Sequence, residues 1–388
     1  MRRPAVATRL APFGTTIFTE MTRLAVQHGA VNLAQGFPDF EGPPFATDAA
    51  IDAIRAGRNQ YGRMQGELPL VKAVAAYVKA RTGLEYDPAT EVTVFAGATE
   101  GIFCAVMALV EPGEEVVLFE PYYDSYRACV SMAGGVPRYV TLRAPTFGFD
   151  REELRAAFSK RTRLVIVNTP HNPTGRVFSR SEMQSIATLC IEHDCVCLVD
   201  EVYERLVYED EHVCMASLTG MRERTITMNS TGKTFSLTGW KIGYATASAE
   251  LSKALAAAHQ FVTFAVATPF QHAMAQALAA PQEYYDELLS FYRHRRDHLV
   301  AALAGCGFGV TAPQGTYFVL ADIRPLGWDD DVEFCRHLVE RVGVAAIPPT
   351  AFYVHRSEGQ FLVRFAFCKR RETLDAAIER MQGGVLRR

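Results

Sequence analysis

Short apolar runs alternate with longer amphipathic segments from Val92 to Val199, and this alternation constrains the fold more than any other feature of the chain. The apolar runs at 92–95, 115–119, 137–142, 164–167 and 195–199 are too short for buried helices and suit strands buried on both faces. Between them, the spacing predicts helices over 99–110, 122–132, 151–159 and 181–193, with Ser179 as the N-cap of the last. Strands separated by helix-length crossovers pair in parallel, because a hairpin cannot join parallel neighbours. The class expected is therefore α/β, a mostly parallel sheet with helices on both faces.

Beyond Pro281 the texture changes to a long helix over 283–303, strands at 317–321 and 361–366, and helices over 331–341 and 372–381. That mixture reads as a smaller α+β domain. A chain of 388 residues exceeds one small core. The division expected is an arm at 1–44 belonging partly to the small domain, a large domain at 45–280 and a small domain at 281–388.

The net charge of −3 supplies no global basic field to recruit nucleic acid or an acidic membrane. Arg293-His294-Arg295-Arg296, the densest basic run, falls in a helical pattern and is expected to be a solvated face. Nine cysteines lack disulfide-framework spacing. The start, Met1 to Arg9, has no apolar segment of signal length, and no run reaches the roughly 18 apolar residues of a membrane span. A reducing cytoplasm is the expected compartment.

Chemistry concentrates at the ends of the apolar runs. Lys233 stands in Ser230-Thr231-Gly232-Lys233-Thr234, just after such a run, and Lys241 follows eight positions later. A lysine used as a Schiff-base amine needs a site that lowers its pKa and an aldehyde partner. Gly232-Lys233-Thr234 also ends a nucleotide-binding loop motif, but that motif requires glycine where Thr227 stands. Asp200 ends the run Cys197-Leu198-Val199, where open parallel sheets place ligand groups. A carboxylate there can keep a pyridine nitrogen protonated; it can equally cap a turn.

Gly97-Ala98-Thr99 joins a strand to a helix, whose first N–H groups favour phosphate. Asn172 lies in the turn Asn172-Pro173-Thr174-Gly175, which is a good turn in any context. Arg364 sits inside Leu362-Val363-Arg364-Phe365-Ala366, and an arginine among apolar neighbours needs an anion, either internal or a substrate carboxylate. Cys190, His193, Cys195 and Cys197 resemble metal ligands, but buried cysteines pack as small hydrophobes, and no metal is expected. Neither a dinucleotide G-x-G-x-x-G nor a G-x-S-x-G nucleophile turn is present.

In this order and spacing the motifs resemble the fold-type I aminotransferases that use pyridoxal 5′-phosphate. The branch resembled contains kynurenine aminotransferase and glutamine transaminase K, bacterial methionine aminotransferase, and actinobacterial N-succinyldiaminopimelate aminotransferase. The matching segments include Asn32-Leu33-Ala34-Gln35-Gly36-Phe37-Pro38, Asn59-Gln60-Tyr61, Asp200-Glu201-Val202-Tyr203 and Thr238-Gly239-Trp240-Lys241.

The resemblance implies that Lys233 carries the cofactor and shuttles a proton between Cα and C4′, while Asp200 pairs with the ring nitrogen. Asn172 and Tyr203 would bond the phenolic oxygen. Ser230, Lys241 and the Ala98/Thr99 backbone would hold the phosphate, and Tyr123 would stack on the ring. Arg364 would take the substrate carboxylate beside Gly36 and Asn172, with Phe18, Phe37 and Phe264 offered to the side chain. Tyr61 would reach the partner's phosphate in a homodimer. The activity implied is ping-pong transamination between an L-amino acid of aromatic, methionine, glutamine or kynurenine type and a 2-oxo acid. N-succinyldiaminopimelate transamination and β-elimination from cysteine conjugates are the alternatives on the same residues. A regulatory module that keeps the pocket without turnover lacks the expected basic helical unit.

Overall fold

The computed structural model describes residues 5–209 and 211–388, so Met1 to Pro4 of the expected arm lie outside the described residues. The strands, in chain order, are β1 (Val31–Asn32), β2 (Val92–Ala96), β3 (Glu115–Glu120), β4 (Val136–Thr141), β5 (Thr162–Asn168), β6 (Val196–Asp200), β7 (Thr225–Ser230), β8 (Ile242–Thr246), β9 (Gly309–Val310), β10 (Phe318–Asp322), β11 (Val344–Ala345) and β12 (Leu362–Ala366).

Seven of them form one sheet in the order β2-β8-β7-β6-β5-β3-β4, parallel except for β8, which runs against both its neighbours. Its central strands β3, β5 and β6 carry mainly apolar residues pointing to both sides because both faces are covered. Val117, Val165, Cys197 and Val199 enter one core, with Met183, Ile186 and Cys190 of the helix Arg180–Glu192. Val116, Leu118, Ile166, Leu198 and Met228 enter the other, with Ile102 and Val106 of the helix Ala98–Leu109. The period of two along each strand decides which core a residue joins. Cys190, Cys195 and Cys197 are fully buried packing residues, as expected.

Ser179 closes a capping box with Glu182 at the start of the helix Arg180–Glu192. The helix expected over 122–132 instead begins at Asp124. Tyr122 and Tyr123 therefore belong to the turn that leaves β3.

A 24-residue helix, Gln282–Gly305, leads to the second region. There β12, β10 and β9 form an antiparallel sheet in which Leu320 faces Arg364. The arm joins this region, because β1 pairs in parallel with β11, Val31 opposite Val344. Met21, Leu24 and Leu33 share a core with Leu299, Phe334, Val363 and Leu374.

The basic run on the long helix departs from the solvated face expected of it. Arg296 is 5% exposed and clasps both Glu209 carboxylate oxygens at 2.7 Å. The carboxylate turns inward a charge that spacing alone would place in water. No helix among the described residues is long and apolar enough to cross a membrane.

Candidate active site

The strand register gathers the site. Asn168 of β5 lies opposite Asp200 of β6, so both reach the C-terminal edge of the sheet together. The next strand, β7, ends at Ser230 and turns directly into the one-turn helix Thr231–Thr234 that carries Lys233. This edge and the second region enclose a cavity of about 460 Å³. Its walls include Lys233, Asp200, Tyr203, Asn172, Ala98 and Thr99, and continue with Tyr123, Ser230, Lys241, Arg364, Gly36 and Phe18. Every candidate residue except Tyr61 and Phe264 therefore borders one space. Phe37 also lines it. Tyr61 is 88% exposed and packs edge-on against Phe264 outside the cavity of its own chain, so Phe264 is not part of the pocket wall either.

Asp200 is 5% exposed, and burial pushes its carboxyl up to about 6, against the opposing hydrogen bond from Tyr126. The Tyr126 hydroxyl donates to Oδ2 at 2.6 Å, and the Val202 amide reaches Oδ1 at 3.3 Å. Oδ1 thus caps the turn after β6, while Oδ2 is held by Tyr126. Asn168 donates its amide to the Asp200 carbonyl at 2.8 Å and accepts the Asn172 N–H at 2.7 Å. It fixes the turn that presents Asn172.

Lys233 donates to the Tyr317 hydroxyl at 3.1 Å. Burial lowers its pKa; Cys368 and Asp200 act to raise it, while Lys241 and Arg364 add to the lowering. A lysine in such surroundings keeps more of its amine neutral than a solvated one. Ser230 accepts the Gly232 N–H at 3.3 Å, which leaves its own proton free for a ligand.

Lys241 adopts φ +55° and lies across Gly97, whose added Cβ would stand 3.0 Å from the Lys241 Nζ. Gly97, at φ +80°, precedes the helix Ala98–Leu109, whose N-terminus has no side-chain cap. A cation beside the positive end of a helix, with no ion pair among the described residues, calls for an anion between them.

Arg364 is 1% exposed, yet no carboxylate among the described residues forms an ion pair with it. Nη1 donates to Asn172 Oδ1 at 3.0 Å and Nη2 to the Ala34 carbonyl at 2.9 Å, while Nε has no hydrogen-bond partner. Burial lowers its pKa to about 10, which still leaves it charged at neutral pH. The guanidinium lies 4.3 Å from the Phe318 ring centroid and 5.2 Å from that of Phe18. Gly36 is required beside it, since an added Cβ would come 2.4 Å from Phe318 Cζ.

Sequence reasoning missed Tyr126, Asn168, Tyr317 and Phe318. Each sits in or beside an apolar stretch where it reads as core. The available signal for the first was its spacing, three residues beyond Tyr123 and so one helical turn away.

The profile of the family "Aminotransferase class I and II" matches residues 29–381. A Mycobacterium tuberculosis protein named as a probable N-succinyldiaminopimelate aminotransferase is 49% identical over 385 residues, covering 96% of this chain and 97% of that one. Methionine aminotransferase of Escherichia coli is 41% identical, with 96% and 97% covered. The solved structure of N-succinyldiaminopimelate aminotransferase from Mycobacterium tuberculosis superposes with a TM-score of 0.95 at 49% identity, covering 98% of this chain and all of that one. The chain belongs to the class I and II aminotransferases of fold type I, enzymes that move an amino group between an amino acid and a 2-oxo acid.

Proposed function

We propose that this aminotransferase holds pyridoxal 5′-phosphate on Lys233 and takes L-amino acids with bulky apolar, aromatic, methionine, glutamine or kynurenine-type side chains. The family depends on this cofactor, and the donor set fits it. An uncapped helix start, Lys241 and Ser230 suit a phosphate, and buried Asp200 suits a protonated ring nitrogen. Bound there, the cofactor supplies an aldehyde for the amino group and a ring that makes the substrate Cα proton acidic.

The chain's own residues do the rest. Asp200 holds the ring-nitrogen proton. Asn172, whose Oδ1 is taken by Arg364, offers its NH₂ to the phenolic oxygen together with the Tyr203 hydroxyl. Tyr123 covers the ring. The freed Lys233 amine takes the Cα proton and returns it on the other side of the transferred nitrogen. Arg364, with Gly36 and Asn172 beside it, orients the substrate carboxylate, and Phe18 borders the side chain. The divisions 1–44, 45–280 and 281–388 serve this arrangement, with all three contributing to the cavity wall. Tyr61 and Phe261 are 88% and 87% exposed, a cost that a second copy of the chain would remove. Tyr61 therefore serves the partner's site in a homodimer. The compartment is the cytoplasm.

A second donor, N-succinyldiaminopimelate, is favoured by the 49% identity to the mycobacterial relative so named. The single observation that carries the reading is Arg364, buried without an acidic partner on the cavity that also holds Lys233. A panel of donors that includes methionine, phenylalanine, kynurenine, glutamine and N-succinyldiaminopimelate, ranked by kcat/KM against 2-oxo acids, tests it. Parallel double-reciprocal lines are expected. A preference for amines that lack an α-carboxylate would overturn the reading.

A further inference from the structure

Tyr317 immediately precedes β10 and Phe318 opens it, and the two touch opposite ends of the reacting machinery. The Tyr317 hydroxyl contacts Lys233 Nζ at 3.1 Å, whereas the Phe318 ring lies under the Arg364 guanidinium at 4.3 Å. Both side chains are buried, and both press on Gly36, where an added Cβ would meet Phe318 Cζ at 2.4 Å and Tyr317 Cε2 at 3.1 Å.

The hydrogen-bond polarity at Tyr317 is fixed by its neighbours. Its hydroxyl donates to the Gly36 carbonyl at 2.6 Å, and a carbonyl can only accept. The Tyr317 proton is therefore committed, and its oxygen faces Lys233 as an acceptor. Burial keeps the phenol far from ionising, so it is not itself a base. A neutral amine has two N–H bonds and one lone pair. Pinning one N–H on Tyr317 restricts the lone pair to directions that include the cavity Lys233 borders.

We propose that Tyr317 is a positioning residue for the proton transfer, holding one N–H of the free Lys233 amine so that its lone pair faces the substrate Cα. Phe318 supports Arg364 from the same strand, so β10 sets the distance between the proton carrier and the carboxylate anchor. This rests on the reading of Lys233 as the cofactor lysine and adds a residue to which no role had been given.

The test is Tyr317→Phe, which keeps the ring and removes the oxygen. In the holoenzyme loaded with pyridoxamine phosphate the lysine amine is free, and its acylation by acetic anhydride can be followed by mass spectrometry against pH. An acceptor favours the ammonium form, so the labelling pKa of Lys233 should fall by about one unit in the variant. The isotope effect from Cα-deuterated donor on kcat should rise and kcat fall about tenfold, with KM within about twofold. Labelling curves and isotope effects of the folded variant that superpose on wild type overturn the proposal. A failure of the cofactor reading looks different: wild-type protein reduced with borohydride would then carry no pyridoxyl group on Lys233.

Discussion

Asp200, at the β6 end of the cavity, is held by Tyr126 at 2.6 Å, whereas Arg364, at the β12 end, keeps Nε without any partner. The first end is arranged before anything binds. Its carboxylate, asparagines and short helix are fixed by strand register and by hydrogen bonds within the large sheet. The second end is a charge taken out of water and left incomplete, at a cost that folding alone does not recover. Open anion-binding groups remain at both ends, Lys241 with the uncapped helix start at the first and Arg364 at the second. On the proposed reading the resident cofactor's phosphate answers the first and the substrate carboxylate the second.

The comparison breaks first at Lys233, which serves both ends. Lys233→Ala should reduce kcat by about ten thousandfold or more, because proton transfer and the covalent anchor are lost together. Stopped-flow half-reactions measure this, and turnover near wild type would remove the lysine from the chemistry. Arg364→Ala comes next. Truncating one partner of a buried charge pair costs roughly 3–4 kcal/mol, so kcat/KM for α-amino acids should fall by about a hundredfold to a thousandfold. Cofactor affinity, read by absorbance titration, should stay close to wild type. An equal loss of cofactor affinity would erase the distinction between the two ends.

Tyr126→Phe is the milder probe of the β6 end. Burial already pushes Asp200 up to about 6, and the Tyr126 hydrogen bond is the largest influence holding it down. Without that bond the carboxyl pKa rises, and Asp200 stays protonated to higher pH. A protonated Asp200 cannot balance a protonated ring nitrogen. Cofactor uptake should therefore weaken as pH falls through about 6 in wild type, and at a higher pH in the variant. The loss expected near neutral pH is about tenfold. A midpoint that does not move would show that Tyr126 acts only as packing.

Ser179→Ala lies outside both ends and supplies the control. Removing this half of the capping box should lower stability by about 1 kcal/mol in denaturant melts and leave kcat unchanged.

How much of this was legible in the sequence follows the same division. Asp200 and Lys233 each follow an apolar run, so the periodicity that predicts the strand also marks the residue at its edge. Arg364 stands out as a charge inside such a run. Tyr317 carries no comparable mark and Tyr126 only its spacing from Tyr123, because a buried tyrosine has the same sequence signature whether its hydroxyl meets a catalytic group or fills space. The helix start at Asp124 was missed because Tyr122 and Tyr123 continue the apolar pattern of the helix they precede. Arg296 was misread for the converse reason. Its partner Glu209 is 87 positions away, and helical spacing cannot report a distant carboxylate.

The central claim is that the β6 end holds a resident aldehyde cofactor on Lys233. Incubating the purified chain with pyridoxal 5′-phosphate, reducing with borohydride and mapping the adduct by peptide mass spectrometry tests it most directly. The account predicts a single pyridoxyl group, on Lys233, that disappears in Lys233→Ala. An adduct on Lys241 or Lys369, or none on Lys233, would contradict it.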